Sequence, residues 1–396
     1  MAPLIHSKEL SPGLKLIWEN SVMVRDNLKT ASLVVVKVGS RVLLLDDGRP
    51  NYPRIAHLVE QMTALHLRNI KVIFVSSGAI GAGMEALGLK KRPNDLPTLQ
   101  AAAAIGQVRL MRTYEDLFGR SGLLAAQVLL THDDLKNRTR HLNIKNTLSA
   151  LLERGVIPII NENDTVSVDE IKFGDNDVLA SLVAMLCEAK ALILLTTAQG
   201  FMIKKENGEE QCLSHIIELN EEVLKHIEAH KVGLSVGGMK SKLLAASNMI
   251  HVGGIAVIAP GTENNVLGQI FAGENIGTVV GDNSKEQAQR MPGRKRWIAF
   301  YHRPRGAVYV DDGAKMALLN KGKSLLPVGI KMVDGHFQKG SVIEIRDQGG
   351  NGFAKGIAQM DSTEIETVKG KASGLFKPSV LEVVHRDDLV ILHEGI

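Results

Sequence analysis

Apolar positions along this chain alternate between two rhythms. Leu33-Val34-Val35-Val36-Lys37-Val38-Gly39 is an apolar run broken only by a lysine and closed by a glycine, the form of a buried parallel strand opening into a tight loop. Ile55, Leu58, Val59, Met62 and Leu65 then fall at helical spacing, and Val72-Ile73-Phe74-Val75 enters the glycine-bearing loop Ser76-Ser77-Gly78-Ala79-Ile80-Gly81-Ala82-Gly83. This is a βαβ unit. Helical pattern returns over residues 99–118 and 138–154, and strand pattern over 123–130, 156–160 and 191–196. Gly237-Gly238 opens a helix over 239–250, and residues 255–259 close the series as its last strand. The alternation predicts an α/β fold, a three-layer sandwich with a mainly parallel sheet.

The pattern changes over residues 283–296, a polar and basic stretch with Pro292 and Gly293 that reads as a linker. Short strands at 297–300, 307–310, 341–346, 356–358 and 380–384 then alternate with glycine turns, predicting a small β-rich second domain. Two domains also suit the length of 396 residues. The net charge of +4 is unevenly spread: from Ser284 onward 18 Lys and Arg face 13 Asp and Glu, while the remainder carries −1. A surplus of that size suits nucleic acid or a simply solvated surface. No run of about eighteen apolar residues offers a membrane span. Lys8, Glu9, Lys15, Glu19 and Arg25 interrupt any signal-peptide core, so a cytoplasmic location is expected. Cys187 and Cys212 lack the spacing of a zinc site or a disulfide framework.

Candidate chemistry concentrates at strand ends. Asn161-Glu162-Asn163-Asp164 follows the apolar strand 156–160, and Gly174-Asp175-Asn176-Asp177 comes a dozen residues later. In open α/β sheets ligands bind at such ends, and Asp with Asn can accept from an ammonium group, donate to a carboxylate or hold hydrated Mg²⁺. Asx turns and helix caps are the competing explanation. Lys37-Val38-Gly39-Ser40, Ser77-Gly78-Ala79-Ile80-Gly81 and Gly237-Gly238-Met239-Lys240-Ser241-Lys242 are three loops whose backbone N–H groups could cradle phosphate, or whose glycines could serve packing. None has GxxxxGK[ST], and Gly78, Gly81 and Gly83 reverse the GxGxxG order. Lys37, ending a buried strand, and Lys242, in the first turn of its helix, could each aim a cation at a phosphate, with Lys240 as competitor. Two lysines, amide cradles and carboxylate-held Mg²⁺ are the parts phosphoryl transfer requires. His226-Ile227-Glu228-Ala229-His230 is not HExxH and lies in a charge-rich segment, which disfavours metal binding. Arg138 and Arg140 flank a helical segment and read as surface residues, with a substrate contact as the alternative.

VVVKVGS, VSSGAIGAG, AAAAIGQ, INEND, IKFGDND and GGMKSKL, in that order, resemble the amino acid kinase family over residues 33–283. RKRW at 294–297, KSLLPVGI at 323–330 and VHRDDL near the end resemble a PUA barrel over 294–396. The resemblance implies ATP- and Mg²⁺-dependent phosphorylation of the side-chain carboxylate of L-glutamate, the first step of proline synthesis. It further implies feedback inhibition by L-proline and assembly into dimers or tetramers. On that resemblance Lys37 and Lys242 stabilise the transferring phosphoryl group and Asp177 orients them. Ser77, Gly78, Ala79, Asp164, Asp175 and Asn176 bind glutamate; Lys37, Gly39, Thr196, Thr197 and the segment Val236, Gly237, Gly238, Met239, Lys240, Ser241, Lys242 bind the nucleotide. Arg41, Thr197 and Val236 depart from the family pattern, all on the nucleotide side. A reading from another class makes the chain an RNA-associated PUA protein on a kinase scaffold, and a third makes it another carboxylate or carbamate kinase.

Overall fold

Strand β1 (Leu33–Val38) lies near the middle of an eight-stranded sheet, and its position decides where everything else falls. The computed structural model describes residues 23–166, 176–204, 208–217, 219, 223, 236–281, 293–301, 304–371 and 382–392. The chain divides into two units, Met1–Arg290 and Met291–Ile396.

In the first unit β1 pairs in parallel with β2 (Lys71–Val75) on one side and with β5 (Ala191–Thr196) on the other. Beyond β2 come β4 (Ile157–Glu162) and β3 (Ala125–Leu130), and beyond β5 come β9 (Ile255–Pro260), β10 (Thr278–Val280) and β8 (His215–Ile216). Every pairing is parallel except β10 on β9. The series does not close at β9, because Thr278–Val280 adds a short antiparallel strand whose three residues carry little sequence signal. A separate hairpin joins β6 (Phe201–Lys204) to β7 (Glu210–Leu213). Crossovers from β1 lead to β2 on one side and, later, to β5 on the other. The carboxyl ends of β1, β2, β4 and β5 therefore share one edge at a point where strand order reverses, the place where open α/β sheets take their ligands.

Helices cover the sheet: α1 (Ser40–Leu43), α2 (Tyr52–Leu67), α3 (Ala79–Ala86), α4 (Leu96–Gly119), α5 (His132–Lys136), α6 (Arg138–Glu153), α7 (Asp177–Leu186), α8 (Val236–His251) and α9 (Val266–Phe271). Side chains of β1, α2 and α9 share one core, with Val34, Val36, Leu58, Met62, Leu267 and Phe271 buried. Full burial of such a side chain contributes about 1.5–3 kcal/mol, which is why a lysine inside β1 demands explanation. Helices α3 and α4 touch backbone to backbone: a Cβ on Gly83 would lie 1.7 Å from the Ala102 carbonyl oxygen, and one on Gly106 would lie 1.7 Å from that of Ala79. At the other end of the unit, buried Arg25 donates to the carbonyls of Ser214, Glu274, Ile276 and Gly277 at 2.9–3.1 Å. Burial brings its guanidinium down to about 10.

Two helical expectations shift. Residues 236–238 already belong to α8, so Lys242 lies in its second turn rather than its first; glycine is tolerated where helix N–H groups have no intrahelical partner. In the second unit the segment expected as a strand at 297–300 is the end of helix α10 (Gly293–Phe300), with Trp297, Ile298 and Ala299 buried. Four apolar residues cannot by themselves distinguish the two periods. The rest of that unit is a five-stranded sheet in the order β12 (Ile330–Asp334), β11 (Ala307–Val310), β13 (Val342–Arg346), β14 (Gly352–Ala358), β15 (Val384–Ile391). Helices α11 (Asp312–Lys321) and α12 (Ser362–Val368) accompany it over a separate core that includes Val308, Ile343 and Ile365. No described helix is long and apolar enough to cross a membrane.

Candidate active site

Lys37 is one residue from the end of β1 and only 3% exposed. Its ammonium group lies 2.6 Å from Oδ1 of Asp177, and Nζ of Lys242 lies 2.8 Å from Oδ2 of the same carboxylate. Asp177 is fully buried. It is the first residue of α7, where the helix dipole favours a negative charge. Lys242 also donates to the Gly238 carbonyl at 3.1 Å, while Ser241 Oγ donates to Asp177 Oδ2 at 3.2 Å. One buried carboxylate thus holds two ammonium groups, and the triad keeps a formal surplus of one positive charge. Buried charge is costly unless paired and hydrogen-bonded.

A second network joins the ends of β2 and β4 to the start of α7. Asn176 Nδ2 donates to the Ser76 carbonyl and to Asn161 Oδ1, both at 2.8 Å, and reaches Ser77 Oγ at 3.4 Å. Asn161 Oδ1 also accepts from the Glu162 amide at 3.0 Å. Below them the hydroxyls of Ser76 and Tyr114 meet at 2.8 Å, with the Tyr114 ring edge-on to Phe74. Burial raises the Tyr114 phenol far above its ordinary range, so it stays protonated. Ser76 and Tyr114 carried no signal in the sequence, since their contact spans 38 positions between separate elements.

Beside this network a cleft of about 110 Å³ is bounded by Ser77, Gly78, Ala79, Asn161, Asp164 and Asn176, with Arg92 on the same wall. Gly78 has φ +93°, a left-handed conformation that favours glycine. Asp164 is pushed up to about 6, chiefly by burial and further by the Glu162 carboxylate, with Arg92 opposing. Glu162, buried at the end of β4, lies 3.5 Å from Nδ1 of His132. An uncomfortable carboxylate beside a cluster of amides is a natural seat for an ammonium group.

The structure therefore gathers Lys37, Asp177, Ser241, Lys242 and Gly238 at one point, and Ser77, Gly78, Ala79, Asp164 and Asn176 around an adjoining cleft. Asp175 and the histidines at 226 and 230 lie outside the described residues. The glycine loops divide differently from expectation. The Gly39 amide is already bonded to the Leu195 carbonyl at 3.0 Å, so it continues the sheet instead of standing free for phosphate. A Cβ on Gly81 would come within 2.6 Å of the Gly48 carbonyl oxygen, and Gly83 sits against α4; both serve packing. Thr196 is half-buried at the end of β5, while Thr197, Arg41 and Lys240 are exposed. Val236, Gly237 and Met239 lie in the first turn of α8, beside Gly238. Arg140 pairs with Asp134 at 2.7 Å and stays on the surface. Among the described residues no three His, Cys, Asp or Glu side chains converge as a metal site.

The amino acid kinase family matches residues 32–258, and the PUA domain matches residues 306–375. Glutamate 5-kinase of Geobacter metallireducens is 44% identical over 374 residues, covering 92% of this chain and 99% of that protein. Glutamate 5-kinase of Syntrophus aciditrophicus is 43% identical over 378 residues, covering 93% of this chain and 96% of that protein. Among solved structures, carbamate kinase from Giardia lamblia bound to AMP-PNP matches with 17% identity and a TM-score of 0.47, covering 64% of this chain and 99% of that one.

Proposed function

We infer the roles of individual residues from one premise: the chain belongs to the amino acid kinase family and, within it, to the glutamate 5-kinases. It transfers the terminal phosphoryl group of ATP to the side-chain carboxylate of L-glutamate. A carboxylate oxygen forms a bond to the γ-phosphorus, the bond from that phosphorus to the β,γ-bridging oxygen breaks, and ADP leaves with L-glutamyl 5-phosphate as the other product.

In our reading the glutamate side chain enters the cleft with its carboxylate toward Ser77 and the amides of Gly78 and Ala79, and its ammonium group toward Asp164 and Asn176. The nucleotide lies over Thr196 and the start of α8. Lys37 and Lys242, held by Asp177, meet the negative charge on the phosphoryl oxygens as the phosphorus passes between partners. Transfer of this kind depends on positioning and on charge stabilisation, with little covalent chemistry left to the protein. Among the described residues no three His, Cys, Asp or Glu side chains group together, and Mg²⁺ entering with the nucleotide would supply charge neutralisation to its phosphates.

The observation that carries this reading is the buried carboxylate shared by two ammonium groups at the edge where the sheet takes ligands. Purified protein incubated with ATP, Mg²⁺ and single amino acids, with hydroxylamine to trap the acyl phosphate, tests it. L-glutamate should yield the hydroxamate and other amino acids should not; equal yields across the panel, or none, would refute it.

The resemblance extends the proposal to inhibition by L-proline, to assembly into dimers or tetramers and to a cytoplasmic location. A second reading concerns the other unit. Its PUA match favours RNA as an additional partner, and a groove of about 700 Å³ in that unit carries Lys323, His385 and Arg386 beside Asp311 and Glu382. A salt-dependent shift assay with structured RNA on the full chain, against Lys323→Glu and Arg386→Glu, tests this; selective binding lost in the variants supports it, and weak unselective binding retires it.

A further inference from the structure

We propose that Arg92 binds the α-carboxylate of the amino acid substrate and so sets the requirement for a free α-amino acid. The inference rests on the glutamate-phosphorylating reading above and deepens it. Arg92 lies in the loop between α3 and α4, in a stretch, Lys90-Lys91-Arg92-Pro93-Asn94-Asp95, that in sequence looks like solvated turn. The fold turns it onto the wall of the cleft that Ser77, Asn161, Asp164 and Asn176 define. Among the described residues bounding that cleft it is the one cation, and Asp164 is the one carboxylate.

Charge counting shows why both are needed. L-glutamate brings two carboxylates and one ammonium group. The side-chain carboxylate must face the nucleotide, where Lys37 and Lys242 await the transferring group. That leaves the zwitterionic α end in the outer part of the cleft. Asp164 answers the ammonium group, but with Asp164 alone the α-carboxylate would sit beside another carboxylate, with Glu162 close behind it. Arg92 answers the second carboxylate: one ammonium and one guanidinium face the α-carboxylate and Asp164. Its charge is already felt at Asp164, so the two side chains act over the same small space. A guanidinium also matches a carboxylate with two parallel N–H donors, which lysine cannot do. Packing supports the placement, since the contacts of Gly83 and Gly106 fix α3 against α4 and so restrict the loop between them.

The test crosses one enzyme change with one substrate change. Hydroxamate formation is measured for wild type and Arg92→Gln with L-glutamate and with its α-amide, which keeps the ammonium and side-chain carboxylate but lacks the α-carboxylate. KM is read for substrates that turn over and Ki for an α-amide that does not. For wild type the α-amide should bind roughly tenfold or more weakly than L-glutamate; Arg92→Gln should raise the L-glutamate KM by a similar factor with kcat little changed, and leave the α-amide constant within about twofold. Arg92→Lys should recover only part of the loss. Equal weakening of both ligands, or no change with L-glutamate, would overturn the assignment. Wild-type protein that forms no hydroxamate from L-glutamate would overturn the parent reading and this one with it.

Discussion

Replacing Asp177 with asparagine preserves volume and removes one charge, which isolates what the carboxylate does for its two lysines. In the native site Oδ1 faces Lys37 at 2.6 Å and Oδ2 faces Lys242 at 2.8 Å. Asparagine has one acceptor oxygen, and its NH₂ would meet the other ammonium group donor to donor. One lysine keeps an acceptor on residue 177 and the other loses it. Removing one member of a buried ion pair costs about 3–5 kcal/mol. The Lys242 side chain retains 11% exposure against 4% for Lys37, so it is the one that can relax toward solvent, and the lower end, about 3 kcal/mol, is expected. For the unit Met1–Arg290 that lowers Tm by roughly 5 °C. The misplaced lysine is also a lost donor to the transferring phosphoryl group, which lowers kcat about 10²–10³-fold. KM for L-glutamate should stay within about threefold, because the cleft residues and not Asp177 hold it. Thermal unfolding by circular dichroism gives the first quantity and hydroxamate kinetics the others. A variant that loses the stability yet keeps kcat within about threefold of wild type would reduce Asp177 to a structural ion pair and refute the reasoning.

Three further outcomes follow from the same structure. Asp164 is raised to about 6, so its ionised, ammonium-binding form is lost as pH falls through that value; kcat/KM for L-glutamate should drop tenfold per pH unit below about 6, and Asp164→Asn should abolish that limb. The folding contribution of Asp164 has the opposite sign, being greatest below its ordinary value of 3.8 and lost as pH rises through about 6. Gly106→Ala should destabilise by at least about 1–3 kcal/mol in urea titration and raise the L-glutamate KM, because its Cβ would push α3, and with it the wall of the cleft, away from α4. Arg25→Met should cost about 3 kcal/mol, since four partly buried carbonyls lose their donor, while kcat in the same preparation stays unchanged.

Much of the site is legible because it breaks local rules. A lysine inside an apolar strand and carboxylates packed against another are both expensive, so Lys37, Asp164 and Asp177 stand out from the sequence without coordinates. What stays hidden is whatever depends on distance along the chain. Ser76 meeting Tyr114, or Asn161 meeting Asn176, follows from the order of the strands, which no local pattern encodes. Glycines mislead for a related reason: Gly81 and Gly83 look like a phosphate loop, yet whether a glycine frees an amide or admits a neighbouring backbone is decided by the partner. Short elements are lost where length fails to separate the periods, as at Trp297 in α10 and at β10. Arg92 was invisible because its exposed, polar loop has the composition of any solvated turn.

The proposed role of Lys37 and Lys242 is to act on the phosphoryl group in flight more than on bound ATP. Its most direct test is to measure, for Lys242→Met and wild type, the affinity for ATP and for ADP with aluminium fluoride and L-glutamate, which mimics the transfer state. Loss of about 10²-fold or more for the mimic, with ATP affinity changed by less than about fivefold, is the result predicted. Equal losses for both ligands would contradict the account.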